Sequence, residues 1–179
     1  MLQSLVHYSA SLCHSLQRHT FMQLFGFSFL LFTLFSCNHN SQHMSNTNYA
    51  FRLKPGQDLK QEIENFVTAK QIKAGWINTC VGSLTQYNIR FANQPEGAKD
   101  SGHFEIVSIT GTLSVNGSHI HISVSDSTGK TIGGHLMDGC KIYTTAEIVI
   151  TGSDNFTFRR ENDGSTSWKE LQVEEVKNK

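Results

Sequence analysis

The segment His119–Ser125 alternates without a break. Ile120, Ile122 and Val124 are apolar, while His119, His121, Ser123 and Ser125 are polar. Side chains two apart on a strand share a face. This segment is therefore a strand with one side in a core and the other in solvent or a wet pocket. Cys140 to Thr151 repeats the pattern through Ile142, Ala146, Ile148 and Ile150. A chain patterned in this way is dominated by antiparallel strands.

The remaining elements follow from local chemistry. Asp58 is a good helix N-cap, and Gln61 stands at the reciprocal capping-box position. Leu59, Ile63, Phe66, Val67 and Lys70 follow at helical spacing, and Gly75 closes the helical region. Trp76 to Val81 reads as a strand broken at Gly82-Ser83. Leu84 to Phe91 reads as the next strand, with Tyr87 and Phe91 in the core. Asn93 to Gly102 is rich in turn residues and reads as a loop. A strand follows from Phe104, and Asn116-Gly117 suits a type I′-like turn. Asp126 to Gly129 is another turn, and Gly133-Gly134 marks a bulge or a close backbone approach. Phe156–Arg159 and Trp168–Val173 read as the last strands. The sum is one α+β domain over residues 49–173, mainly antiparallel sheet with one principal helix, and a tail over 174–179.

Residues 1–48 read differently. No Asp or Glu occurs before Asp58, and Leu24 to Phe35 is strongly apolar. That run is short for a membrane span, and Arg18 is its only basic flank. Three readings stand side by side: a signal or anchor ending near Leu34-Phe35-Ser36-Cys37, an organelle-targeting segment, or translated upstream sequence before a start at Met44. Residues 21–37 acting as a signal imply a secreted or anchored protein. A start at Met44 implies a cytoplasmic one. Asn38 to Asn48 is a polar linker in each case. The sequons at Asn116 and Asn155 matter only for a secreted chain.

Charge narrows the function classes. Fifteen Lys and Arg balance fifteen Asp and Glu, whereas nucleic-acid binding needs a clustered basic excess. The one adjacent basic pair, Arg159-Arg160, reads as a solvated strand end. Cys13, Cys37, Cys80 and Cys140 form no CxxC pair, and Cys80 and Cys140 read as buried thiols.

The chemistry concentrates in His119-Ile120-His121 and Gly133-Gly134-His135. A hairpin turn centred near Ser127-Thr128 sets His121 opposite Gly134 or His135. Cross-strand Cβ atoms lie about 5 Å apart, a gap that two imidazoles and a metal span with bonds of about 2.0–2.1 Å. Three histidines converging on a strand surface suit Zn²⁺ or a similar borderline metal, with water as the simplest fourth ligand. Gly133 and Gly134 would keep side chains away from the ion. The alternative is three ordinary histidines on a polar strand face. Glu105, on one face with His103, is the candidate general base beside a metal-bound water, with His103 lining the pocket. Glu147, Asp138 and Cys140 are weaker candidates, better read as surface, loop and core.

Gly102-His103-Phe104-Glu105-Ile106, the Val81-Gly82-Ser83-Leu84 bend, Gly117 to His121, Gly129, Gly133 to Leu136 and Thr145-Ala146-Glu147-Ile148 together resemble the plants-and-prokaryotes conserved (PPC) domain. The resemblance implies a compact α+β domain that assembles as a homotrimer. Plant members accompany AT-hook segments that bind the DNA minor groove. This chain has no Arg-Gly-Arg-Pro core and no basic arm, so direct DNA binding does not carry over. The histidines make it similar to the stand-alone prokaryotic type. The HxH…H pattern is also similar to the zinc triad of acetolactate decarboxylase and of a related metal-dependent ester hydrolase. That likeness favours zinc and supplies no substrate. The leading expectation is a metal-binding oligomeric module that takes a small molecule or a protein partner. The alternatives are a zinc-dependent hydrolase or decarboxylase and a DNA-associated protein without an AT-hook.

Overall fold

The alternating segments become eight strands, and the capped segment one helix, in the computed structural model, which describes residues 45–177. The signal-like run, Cys13, Cys37 and the alternative start at Met44 lie outside the described residues. No helix among the described residues is long and apolar enough to cross a membrane. The strands are β1 (Asn46–Leu53), β2 (Gly75–Arg90), β3 (Ala98–Leu113), β4 (His119–Ser125), β5 (Thr131–Leu136), β6 (Lys141–Ser153), β7 (Phe156–Glu161) and β8 (Glu170–Glu175). The helix α1 (Leu59–Ala69) lies between β1 and β2 in the chain.

Six strands form one sheet in the order β1-β6-β2-β3-β4-β5, with every pairing antiparallel. The sheet also returns on itself, because β5 pairs with the end of β2 through Ile89–Leu136 and Arg90–His135. At 16 residues β2 is roughly 50 Å long when extended, enough to serve two neighbours along one edge. It pairs with β6 up to Gln86 and with β5 beyond it. Register shifts at Ile77/Thr79, Gly82/Leu84 and Leu84/Gln86 bend it on the way. Strands β7 and β8 form a separate two-stranded sheet.

One face of the main sheet and one stripe of α1 make the core. Ile120, Ile122, Val124, Ile142, Ile148 and Ile150 are buried from the sheet, and Leu59, Ile63 and Val67 from the helix. Phe66 ties α1 to β1, stacked on Phe51 at 4.1 Å and edge-on to Tyr49 at 5.7 Å. The helix opens at Asp58, whose side chain accepts from the Gln61 backbone N–H at 3.2 Å. The cap is one-sided, since the Gln61 side chain is exposed. Asp58 does more than cap. It is buried, accepts from the Gly139 N–H at 2.7 Å and pairs with Lys141 at 3.3 Å, which locks the helix start to β6.

Five expectations need correction. Helix α1 ends at Ala69 rather than at Gly75. The Ile72 and Gln71 amides bond back to Val67 and Thr68, and Gln71 takes the left-handed φ of 54° that such a closure requires. No break occurs at Gly82-Ser83: Gly82 lies within β2, where a Cβ would strike the Thr145 carbonyl of the neighbouring strand. The 93–102 loop is shorter than its composition suggests, because β3 begins at Ala98, and Phe91 is exposed at 36% rather than in the core. Gly117 carries the positive φ (123°), not Asn116, so the β3–β4 turn is not type I′. In addition, β1 begins at Asn46 and pairs with Ser153, three residues before the expected domain start, and β8 runs to Glu175.

Replacing Asp58 by alanine removes the cap and orphans the Gly139 N–H at once. The expected loss is about 2–4 kcal/mol of unfolding free energy, summed from typical cap and unsatisfied-donor costs. Urea denaturation of Asp58→Ala against the parent measures it.

Candidate metal centre

The β4–β5 hairpin sets the centre. Its turn closes with Gly129 N–H donating to the Asp126 carbonyl and Asp126 N–H to the Lys130 carbonyl, both at 3.0 Å. The Asp126 carboxylate accepts from the backbone N–H of Thr128 and of Lys130, at 2.8 and 3.1 Å. Of the two registers the sequence allows, this turn gives His121 opposite His135, with no bulge along the ladder. His119 lies two residues before His121, opposite Thr112 of β3. One ring nitrogen from each of His119, His121 and His135 lies within 4.8 Å of the other two. The His119 and His121 Nε2 atoms are 3.1 Å apart. A tetrahedral ion with bonds of about 2.0–2.1 Å holds its ligand nitrogens about 3.3 Å apart, so modest side-chain rotation would seat one.

The electrostatics favour the ligating form. Burial pushes His135 down to about 4, assisted by His119 and Arg90. Burial also lowers His119, followed by the nearby Arg160 and His121, while Glu170 opposes the shift. Metals bind neutral imidazole, and both shifts favour that form. His135 Nδ1 is buried and has no hydrogen-bond partner among the described residues. Such an atom costs of order 1–3 kcal/mol. The donor set therefore fits a borderline metal.

The triad does not face open solvent alone. A cleft of about 620 Å³ is lined by His119, His135, Arg90, Arg160, Met137 and Trp168. Arg90 enters because it is paired with His135 across the β2–β5 closure. Arg160 and Trp168 come from β7 and the connection after it, held near the β3–β4 turn by Asn116 Nδ2 donating to the Phe158 carbonyl at 3.0 Å. The Arg90 guanidinium lies over the Trp168 ring, 4.8 Å from its centroid. Arg160 is half-buried, not the solvated strand end its position beside Arg159 suggests. Sequence reasoning found neither arginine. Only the pairing of β5 with β2 could have pointed to Arg90.

The other candidates stand apart. Glu105 pairs with Ser125, at the far end of β4. Four strand residues from His121 amount to about 13 Å, so Glu105 is not brought to the triad. His103 is exposed and packs against Tyr143 at 4.4 Å. Gly133 and Gly134 serve the backbone. A Cβ on Gly134 would lie 2.5 Å from the Arg90 carbonyl, and one on Gly133 2.9 Å from that of Ile122. Asp138 pairs with Lys60 at 3.0 Å. Glu147 is exposed. Cys140 is buried, bonded to the Asn88 backbone, and its thiol is pushed up to about 11 by burial; Cys80 reaches about 12 for the same reason.

Comparison with known proteins places the chain among relatives. The profile of the Plants and Prokaryotes Conserved domain matches residues 40–154. A Bifunctional protein GlmU from Synechococcus sp. (strain JA-3-3Ab) is 46% identical over 128 residues, 72% of this chain and 21% of that protein. The chain thus spans about a fifth of the length of the curated relatives it matches. A hypothetical protein from Salmonella, of known structure, is 39% identical with a TM-score of 0.72, over 74% of this chain and 96% of the other. A metal-containing protein from Archaeoglobus fulgidus is 25% identical with a TM-score of 0.62, over 73% and 95%.

The depressed His135 has a stability consequence in the metal-free protein. Its folded value near 4 lies below the ordinary 6.5, so the unfolded chain takes up a proton first as pH falls. Stability is held above pH 6.5 and lost progressively between 6.5 and about 4. An NMR titration should show His135 still neutral at pH 5.5. A midpoint near 6.5 would contradict the burial described.

Proposed function

This chain belongs to the Plants and Prokaryotes Conserved domain family, and on that premise we propose that it is a metal-binding module that takes a small molecule in the cleft beside its three-histidine centre. The observation that carries this reading is the convergence of three imidazole nitrogens within 4.8 Å at the wall of a 620 Å³ cleft. The cavity is within the range of small-molecule sites. Zinc is the proposed ion, from the nitrogen donor set. The Archaeoglobus relative described as metal-containing supports a bound metal at this fold.

His121 and His135 would hold the ion from paired strands, where backbone hydrogen bonds fix their spacing, and His119 would complete the set from one side. When bound, such a cation supplies a Lewis-acid centre with a coordination position left open. The hydrolase or decarboxylase reading asked Glu105 to act as base. At about 13 Å along the strand it does not reach a proton at the triad.

The module is also proposed to be a homotrimer, as the family resemblance implies. Val81 and Val107 are 64% and 58% exposed. Both lie in the stretch of β2 and β3 between the Trp76–Thr112 and Ser83–Glu105 pairs. Neighbouring exposed valines are suited to a subunit contact.

Two measurements test these readings. Metal analysis of protein purified without chelator should give about one zinc per chain, reduced to background in His121→Ala. No metal in either sample removes the proposal. Sedimentation equilibrium should give about three times the 20.0 kDa of one chain. The double variant Val81→Lys/Val107→Lys should lower that mass with its circular dichroism unchanged.

A further inference from the structure

The cleft beside the triad holds more positive charge than the fold needs. Arg90 and Arg160 are both half-buried and both line it with His119 and His135. Among the described residues, neither has a carboxylate within 4.0 Å, whereas Arg159, next in sequence, pairs with Glu174 at 3.4 Å. Among those residues each makes one long side-chain bond to a backbone carbonyl, Arg90 to Gln94 and Arg160 to Lys169, both at 3.4 Å. A guanidinium carries five N–H donors, so most of each fork is uncommitted. Removing such a group from water without a counter-charge is costly. Lys169 adds a third cation to the lining, and Glu170 is its one acid. Glu170 accepts from the Thr166 hydroxyl at 2.6 Å and acts on Arg160 only through space, outside ion-pair distance. Pro95, Met137 and Trp168 give the same cleft an apolar flank.

We propose that the cleft binds a small organic anion, its carboxylate or phosphate group held by Arg90 and Arg160 and its apolar part against Met137 and Trp168. The assignment rests on the metal reading for one of its two holds, since an oxygen of the same ligand would fill the position left open at the triad. The arginine hold stands without the metal. Planar forks suit bidentate contact with either oxyanion. Trp168 lies within cation–π distance of Arg90, which favours the guanidinium's position at the cleft wall.

The test is calorimetric titration of the full chain with malonate and, separately, with inorganic phosphate, at constant ionic strength. Each is run on zinc-loaded and on chelator-treated protein. Saturable binding of at least one probe to the loaded protein is expected, the stronger probe separating carboxylate from phosphate ligands. Arg90→Gln and Arg160→Gln should each weaken it by about tenfold or more, as loss of a charge-assisted contact does, with metal content unchanged. Chelator-treated protein should bind more weakly and keep the arginine dependence. If metal analysis finds no zinc while arginine-dependent binding persists, the metal reading falls and this one stands. No saturable binding of either probe, or binding equal in the parent and both variants, overturns the anion site whatever the zinc content. Arg159→Gln, outside the cleft, should leave binding unaltered.

Discussion

The pairing of β5 with the end of β2 is the constraint on which the rest of the site depends. Two residue pairs, Ile89–Leu136 and Arg90–His135, turn an open sheet into a closed ring of β2, β3, β4 and β5. Ring closure removes two edges that would otherwise present unpaired backbone groups. It also aligns Arg90, His135, His121 and Thr110 as one transverse row across four strands. The row exists because Gly134 lets the β2 backbone come close and Gly133 lets β4 do the same. The two glycines therefore shape the centre indirectly, through strand spacing.

Much of this was legible in the chain, and what was legible was local. Strict alternation exposed β4 and β6, because a half-buried strand writes its two faces into consecutive residues. Asp58 declared the helix start, and the Asp126–Gly129 turn fixed the hairpin to within one residue. The three histidines could be brought together from that hairpin alone. What stayed hidden depends on contacts between distant segments. Nothing near Arg90 says that β5 will lie beside it, and nothing near Arg160 says that β7 will stand over the β3–β4 turn. Glu105 failed as a partner for a related reason: sharing a face with His103 says nothing about distance along the sheet from His121. Gln71 misled in another way, because the left-handed closure of α1 is usually marked by glycine or asparagine.

A net charge of zero describes the whole chain and not its surface. Among the described residues, acids and bases are paired on the helix and at its junction with β6, as in Lys60 with Glu64 and Asp138, or Lys141 with Asp58. The arginines of the cleft are left out of that pairing. A balanced total thus coexists with a locally cationic recess. Its wall is also the hydrogen-bonded start of β4, where the Ser118 hydroxyl donates to Glu64 of the helix. The helix is in this way mechanically joined to the first residue of the triad, which sits directly after that contact.

The unbulged β4–β5 ladder makes the geometry all-or-none with respect to chain length. Side chains on a strand repeat every two residues, so displacing β5 by one step would turn His135 toward the core and present Gly134 in its stead. An odd-numbered insertion between Asp126 and Lys130 therefore keeps the centre only where the turn absorbs the extra residue, with the β2–β5 pairing holding β5 in place. The side-chain parity of β5 is thus held from both sides, by the short turn to β4 and by the closure onto β2.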